Sequence, residues 1–377
     1  MSLDIDIQKH FRGFTLDVRF RSPGGTLGIL GASGSGKSMT LKCIAGLETP
    51  DRGHVIVNGR VLFDAEKNIN LKPRARKVGY LFQNYALFPH MTVIRNIACA
   101  LPKTASKEKK AAAQELLARF RLSELAQRYP AQLSGGQQQR AALARILACQ
   151  PELLLLDEPF SALDAHLKDS LRRQLGKLLA DDARDAILVT HSREEVFQLS
   201  RRLLILSEGQ GVVLGDTPAL FRQPQQVTAA RLTGCKNISR IKRLSPQRLH
   251  ALDWNLTLRS DRRIPPNTAY VGIHAHAFQP ADAPGDNVIP LTPLEVLEGA
   301  FEHSLLFQNA DAPGSKELCW RCSQQQSLSP PPSYLHIPPD GIILLKDTTW
   351  RDTTPANTTS SDAIPGTHEK RSSGGYR

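Results

Sequence analysis

The segment TLGILGASGSGKSMTLKCIAGL, residues 26–47, constrains the fold more than any other. An apolar, strand-like run leads into a loop carrying Gly31, Gly34 and Gly36, and helix-patterned residues follow at once. Such a stretch reads as strand, tight glycine loop, helix. The loop also fits G-x-x-x-x-G-K-[ST] in the context that pattern requires. Glycines let backbone N–H groups turn inward around anionic oxygens. The helix that follows points its positive end at the same place. Residues Gly31, Ala32, Ser33, Gly34, Ser35, Gly36, Lys37, Ser38 and Met39 are therefore expected to cradle nucleotide phosphates. Lys37 would neutralise the β- and γ-phosphates, and Ser38 would offer its hydroxyl to Mg²⁺.

Two further apolar runs end in chemistry-bearing residues. ELLLLD has the length of a buried parallel strand and stops at Asp157 and Glu158; AILVT stops at His191. In open α/β sheets, ligands bind outside the carboxyl ends of the strands. Asp157 is thus a candidate for Mg²⁺, and Glu158 for polarising an attacking water. The same two acids could instead cap a helix. A lone histidine is usually structural, but the place of His191 at a second strand end favours contact with the γ-phosphate. Gln83, following VGYLF, is a third strand-end polar group able to touch Mg²⁺ or water.

Helical patterns fall at Ser106–Phe120, Gln137–Cys149 and Leu163–Leu179, and Ser192 stands as an N-cap before REEVFQL. HVIVNGRVLF reads as a hairpin turning at Asn58-Gly59. Alternating strands and helices predict an α/β domain over residues 1–231 with a mainly parallel sheet. From residue 232 to 346, short alternating segments broken by Pro, Gly and Asp predict a small all-β domain, sandwich or barrel. Residues 347–377 are rich in Thr, Ser, Pro and Gly, a composition expected of a disordered tail. The Cys319-Trp-Arg-Cys322 pair lacks a second ligand pair and reads as two strand residues rather than a metal site. No apolar run is long enough to span a bilayer. The N-terminus has early acids and no apolar core, so a cytoplasmic chain is expected. The net charge of +12 permits anionic partners without choosing one.

Taken together, GASGSGKS, Gln83, LSGGQ (Leu133–Gln137), LLLLDEP, SALD (Ser161–Asp164) and His191 resemble, in order and spacing, the nucleotide-binding subunit of ABC transporters. The resemblance covers about residues 3–230. It implies a P-loop NTPase fold of the ABC ATPase type with a helical subdomain, and ATP with Mg²⁺ as ligands. It also implies that the signature turn faces the phosphate loop of another subunit. Ser134, Gly135, Gly136 and Gln137 would then contact the γ-phosphate in trans. One phosphate loop and one signature per chain imply a homodimer. Members of the family stack adenine on an aromatic residue before the phosphate loop; Phe11 and Phe14 are the candidates, and Phe14 could equally be core.

With no spanning segment, the pore is expected on two copies of a separate transmembrane permease, served by an extracytoplasmic oxyanion-binding protein. The chain would sit at the cytoplasmic face of the inner membrane. The segment Asn84–Val93, with exposed-looking aromatics, lies where the family docks its permease, although any single one of these aromatics could equally be core. DAEK followed by I-x-L-x-P-x-x-R-x-VGY looks like the molybdate-importer ATPases of the ModC type. The β region would then be an accessory domain of the TOBE or molybdate-binding, OB-type class. Sulfate/thiosulfate, ferric-iron and polyamine importers share this architecture. Competing readings are a non-transport ATPase acting on nucleic acid and a cytoplasmic anion sensor. A single cassette without a basic run interleaved with aromatics argues against a nucleic-acid partner.

Overall fold

The computed structural model describes residues 2–102, 106–161, 165–181, 184–324, 328 and 330–347. Ala162, Leu163 and Asp164 of the SALD segment lie outside this set, as do residues 348–377 of the expected tail.

The chain opens on the antiparallel pair β1 (Leu3–Phe11) and β2 (Phe14–Ser22), followed by β3 (Thr26–Leu30) and α1 (Lys37–Ala45). Next come β4 (Arg52–Val57), β5 (Arg60–Asp64) and the short β6 (Ile69–Asn70). The β4–β5 turn has Asn58 and Gly59 both at positive φ (50° and 77°), the backbone that a two-residue Asn-Gly hairpin demands. Strand β7 (Val78–Leu81) precedes three helices, α2 (Val93–Ala98), α3 (Ser106–Arg119) and α4 (Gly135–Ala148). Their buried faces meet in one core that includes Ile97, Leu117, Phe120, Leu143 and Leu147. Then follow β8 (Leu153–Asp157), α5 (Ala165–Asp181), β9 (Asp185–Thr190) and α6 (Arg193–Leu199). Strands β10 (Arg202–Ser207) and β11 (Gln210–Asp216) and helices α7 (Thr217–Arg222) and α8 (Val227–Thr233) complete this half.

One eleven-stranded sheet runs in the order β6-β5-β4-β1-β2-β11-β10-β3-β9-β8-β7. It corrects the expectation of a mainly parallel sheet. Only β10, β3, β9, β8 and β7 form a continuous parallel block; β1, β2, β4, β5 and β6 pair antiparallel. The reason is visible in side-chain alternation. Strand β1 buries Leu3, Ile5 and Ile7 while Asp4 and Asp6 are half-exposed, as suits a sheet with one wet face. Strand β8 is buried at every position. The parallel block places β3 between β10 and β9, so the carboxyl ends of β3, β9 and β8 stand side by side.

The C-terminal region contains strands β12 (Asn237–Arg243), β13 (Arg248–Ala251), β14 (Leu256–Arg259), β15 (Tyr270–Ile273), β16 (Gln279–Ala281), β17 (Val288–Glu298), β18 (Glu302–Asn309), β19 (Leu318–Ser323), β20 (Tyr334–His336) and β21 (Ile342–Leu345). They form two five-stranded antiparallel sheets, β14-β13-β12-β15-β21 and β16-β20-β17-β18-β19. Both sheets contribute to one core through Leu249, Trp254, Val271, Phe307, Trp320 and Leu335. The buried Asn237 bonds Ile273 O (3.1 Å) and Cys319 O (2.9 Å), and so ties one sheet to the other. Cys319 and Cys322 are buried on one strand, Leu318–Ser323. Helix α8 docks on this region through Val227 and Ala230 against Cys235, Ile238, Ile343 and Leu345. No helix among the described residues is long and apolar enough to cross a membrane.

Candidate functional site

The register of the parallel block builds the site. Leu30 pairs with Thr190, so Gly31 and His191 leave adjacent strands together; Asp157 pairs with Val189. The Glu158 N–H then donates to Val189 O at 2.9 Å, which carries Glu158 to the His191 side. Glu158 has φ +44°, a left-handed backbone that few non-glycine residues adopt. Its carbonyl accepts from Ser161 N (3.2 Å) and Ser161 Oγ (3.0 Å), which hold that turn. Strained backbone of this kind concentrates where the surroundings over-determine a functional side chain.

The loop Gly31–Gly36 needs its glycines for specific reasons. A Cβ at Gly31 would stand 2.3 Å from Leu206 O, and Gly36, at φ +99°, would bring one within 2.7 Å of Leu16 Cδ1. Gly36 caps α1, so the helix begins at Lys37. Lys37 is 5 % exposed, and its Nζ donates to Gly31 O (2.9 Å) and Ala32 O (2.8 Å). Burial lowers its pKa, while Glu158 and Asp157 pull the other way. This buried cation has no carboxylate within ion-pair distance among the described residues, and Ser35 Oγ is buried without a partner. Both features fit a loop shaped for an external anion.

Ser38 Oγ donates to Asp157 Oδ1 at 2.8 Å, and Tyr80 OH donates to Asp157 Oδ2 at 2.8 Å. Sequence reasoning missed Tyr80. It belongs to β7, and only the β7–β8 pairing sets its ring beside the carboxylate. Burial foremost, with the Asp157 charge beside it, raises the phenol's pKa, so it remains a donor. His191 Nδ1 lies 3.2 Å from Glu158 Oε1. Behind it, Thr190 Oγ1 donates to Glu195 Oε2 at 2.5 Å and accepts from Ser192 N at 3.0 Å. Burial raises the Glu195 pKa against the Thr190 hydrogen bond. Ser192-x-x-Glu195, a recognisable helix-start pattern, was the available signal for this support.

Other expected residues stand apart. Gln83 is exposed in the turn after β7 and bonds neither Ser38 nor Asp157. Met39 packs half-buried on the sheet core. Ser134 caps α4: its Oγ accepts from Gln137 N (3.4 Å), and its N–H donates to Gln137 Oε1 (2.9 Å). The exposed Ser134 turn makes no hydrogen bond to the loop 31–38 among the described residues. Phe14 packs against the phosphate loop itself, since a Cβ at Gly36 would lie 3.0 Å from its Cζ; Phe11 stacks outside it at 6.2 Å between centroids. Of the aromatics after Gln83, Tyr85 takes the core alternative and Phe88 the exposed one. Tyr85 is 4 % exposed, with its hydroxyl 3.5 Å from Pro159 O, whereas Phe88 is 42 % exposed.

A glycine loop at a helix N-terminus, with acids and a histidine at neighbouring strand ends, defines a nucleotide-binding P-loop cassette. Comparison with known proteins agrees. The sequence profile of the ABC transporter family matches residues 15–161. The chain is 43 % identical over 233 residues to the sulfate/thiosulfate import ATP-binding protein CysA of Synechocystis sp., covering 59 % of this chain and 63 % of that one. It is 41 % identical over 248 residues to CysA of Vibrio vulnificus, covering 63 % of this chain and 70 % of that one. The molybdenum import ATP-binding protein ModC of Rhodospirillum rubrum is 36 % identical over 222 residues, covering 59 % of this chain and 60 % of its own length. Among solved structures, the dimeric MJ0796, a bacterial ABC transporter cassette, is 28 % identical with TM-score 0.50, covering 58 % of this chain and 99 % of that one. The chain belongs to the ABC transporter family, as an ATP-binding cassette. Its matches span 60 % to 70 % of these three import relatives' own length.

Proposed function

We propose that this chain is the ATP-hydrolysing subunit of an ABC importer for an oxyanion, with sulfate or thiosulfate its first substrate and molybdate its second. The order reverses the expectation set by the ModC-like DAEK segment. The CysA proteins of Synechocystis sp. and Vibrio vulnificus share 43 % and 41 % identity with the chain, against 36 % for the ModC of Rhodospirillum rubrum, and this supports the change.

The observation that carries ATP hydrolysis is the convergence of Lys37, Ser38 and Asp157 on one side with Glu158 and His191 on the other. The backbone N–H groups of residues 31–39 would hold the phosphates, and Lys37 would exchange its two carbonyl contacts for phosphate oxygens. Ser38 and Asp157 would hold Mg²⁺, which supplies charge neutralisation at the β- and γ-phosphates; Gln83 would join them when its turn moves inward. Glu158 would accept a proton from the attacking water, and His191, 3.2 Å away, would orient Glu158 and donate towards the γ-phosphate. Phe14 is committed to the loop's flank, which leaves Phe11 for the adenine ring.

The chain has one phosphate loop and one signature. A second copy would therefore present Ser134, Gly135, Gly136 and Gln137 to the γ-phosphate. The exposed Phe88 face would meet one of two permease subunits, which would hold the chain at the membrane surface and couple it to an external oxyanion-binding protein. The two-sheet C-terminal region would serve as an accessory domain of the TOBE class.

The test is Glu158→Gln. Turnover should fall by about 10²–10⁴, the range for losing a general base, while ATP still binds and the chain elutes as a dimer. Unimpaired hydrolysis by a variant that remains monomeric in Mg-ATP overturns both roles. Uptake of labelled sulfate and of molybdate in cells lacking the chain decides the substrate.

A further inference from the structure

A cavity of about 200 Å³ opens between α3, α4 and α5, away from the phosphate loop. Its floor is apolar and well buried, formed by Phe120, Leu143, Leu171 and Leu175. Set in its wall is Gln139, 1 % exposed, whose amide oxygen and nitrogen both lack a hydrogen-bond partner among the described residues. An amide buried with both ends unpaired is rare in a folded chain, because each end forfeits its hydration. Arg140 Nε on the same wall is also buried and unpaired. The rim is cationic: Arg121, Arg140 and Lys177 face the cavity, with Asp181 the one carboxylate among the described lining residues.

Three features select the occupant. The apolar floor takes a hydrocarbon body, since a dry cavity of about 150 Å³ already accommodates a benzene ring. The cationic rim takes an anionic head. The orphaned amide needs a group that accepts from its nitrogen, which a carboxylate oxygen does. We infer that this cavity is a binding site for a small amphipathic monocarboxylate with a body of about six carbons, its carboxylate held between Arg121 and Lys177 and turned towards the Gln139 amide nitrogen. The site is independent of the nucleotide reading. It lies directly behind the signature turn, because a Cβ at Gly136 would stand 2.9 Å from Leu171 on the cavity floor.

Titration calorimetry on the full chain tests it, with hexanoate, hexanol and sodium sulfate as probes. Hexanoate should bind saturably, once per chain, at least about tenfold tighter than hexanol, as a charge-assisted contact implies. Saturating Mg-ATP should leave that affinity unchanged. Lys177→Glu, on an exposed side chain, should weaken hexanoate but not hexanol, and Gln139→Leu, in a chain that still melts cooperatively, should weaken hexanoate while hexanol still binds, because leucine leaves the floor apolar. Hexanol binding as tightly as hexanoate, or sulfate matching it, refutes the ligand class. Displacement by Mg-ATP, indifference to Lys177→Glu, or the absence of any saturable signal refutes the site.

Discussion

Tyr80→Phe removes a single oxygen and asks whether Asp157 is held the way the geometry implies. Asp157 is 7 % exposed, and its two carboxylate oxygens are divided between Ser38 Oγ and Tyr80 OH, each at 2.8 Å. A hydrogen bond to a charged group contributes about 1.5–3 kcal/mol. The phenyl ring of the variant fills the same space, so no cavity term is added. The nucleotide-free chain should therefore lose about 1.5–3 kcal/mol, roughly a 10- to 150-fold shift in the folded ratio. With a urea m-value of about 2–3 kcal/mol/M, the midpoint should fall by roughly 0.5–1.5 M. In an Asp157→Asn background the charge is gone, and the Tyr80→Phe penalty should shrink by about 1 kcal/mol or more in a double-mutant cycle. Saturating Mg-ATP should recover part of the deficit by mass action, because bound Mg²⁺ would give Asp157 a new partner. Equal penalties in the wild-type and Asp157→Asn backgrounds would show that Tyr80 acts through packing alone, and the hydrogen-bonded arrangement would have to be abandoned.

Lys37→Met should have opposite effects on stability and on binding. The folded chain holds Lys37 at a pKa below its ordinary 10.5 because burial disfavours the charge. Below the folded pKa both states are protonated, and the native state bears the whole cost. As pH rises from the folded value towards 10.5, the unfolded chain binds more protons and stability rises. In Lys37→Met that alkaline rise should vanish from urea titrations of the nucleotide-free protein, and stabilisation by ATP should vanish with it; an unchanged pH slope contradicts the burial argument. Ser134→Ala should cost about 0.5–1 kcal/mol, the lower part of the capping range, because its contact with Gln137 N is long at 3.4 Å. Its effect on ATP-driven dimerisation, measured by light scattering, should exceed that stability loss; equal effects would confine Ser134 to its own helix.

What could be read from the sequence was what is local. The phosphate loop was legible because its glycines, Lys37 and Ser38 lie within eight consecutive residues and their backbone needs follow from residue type. Asp157, Glu158 and His191 were legible because an apolar run fixes where a strand ends. Tyr80 was not, because its partner is decided by which strand lies beside β8, a pairing between distant segments. Whether Tyr85 is core or surface was not decidable, because a ring next to Gln83-Asn84 suits either place until the fold brings its hydroxyl to Pro159. The antiparallel half of the sheet carried a readable sign, the alternation of Leu3, Ile5 and Ile7 with Asp4 and Asp6. That sign lost weight beside the fully apolar runs at β8 and β9. Cargo was not legible for a different reason: the segment that resembles a molybdate importer lies in a cassette whose residues handle phosphate, so the proposed order of sulfate and molybdate rests on identity over the whole cassette instead.

The structure also separates the parts of the site that are complete from those that are not. Ser38, Asp157 and Tyr80 satisfy one another, and Glu158 is paired with His191. By contrast, among the described residues, Lys37 is buried against neutral carbonyls, Ser35 Oγ has no partner, and Ser134 bonds Gln137 of its own helix. Buried cations and orphaned hydroxyls destabilise a chain unless something binds them. A phosphate would answer the first two, and a second copy would give the Ser134 turn a target. Under the proposed reading, the energy withheld from the isolated chain at Lys37 and Ser35 becomes available when nucleotide and partner arrive together. Closure would then depend on ATP, and hydrolysis, by removing the terminal phosphate, would reopen the pair.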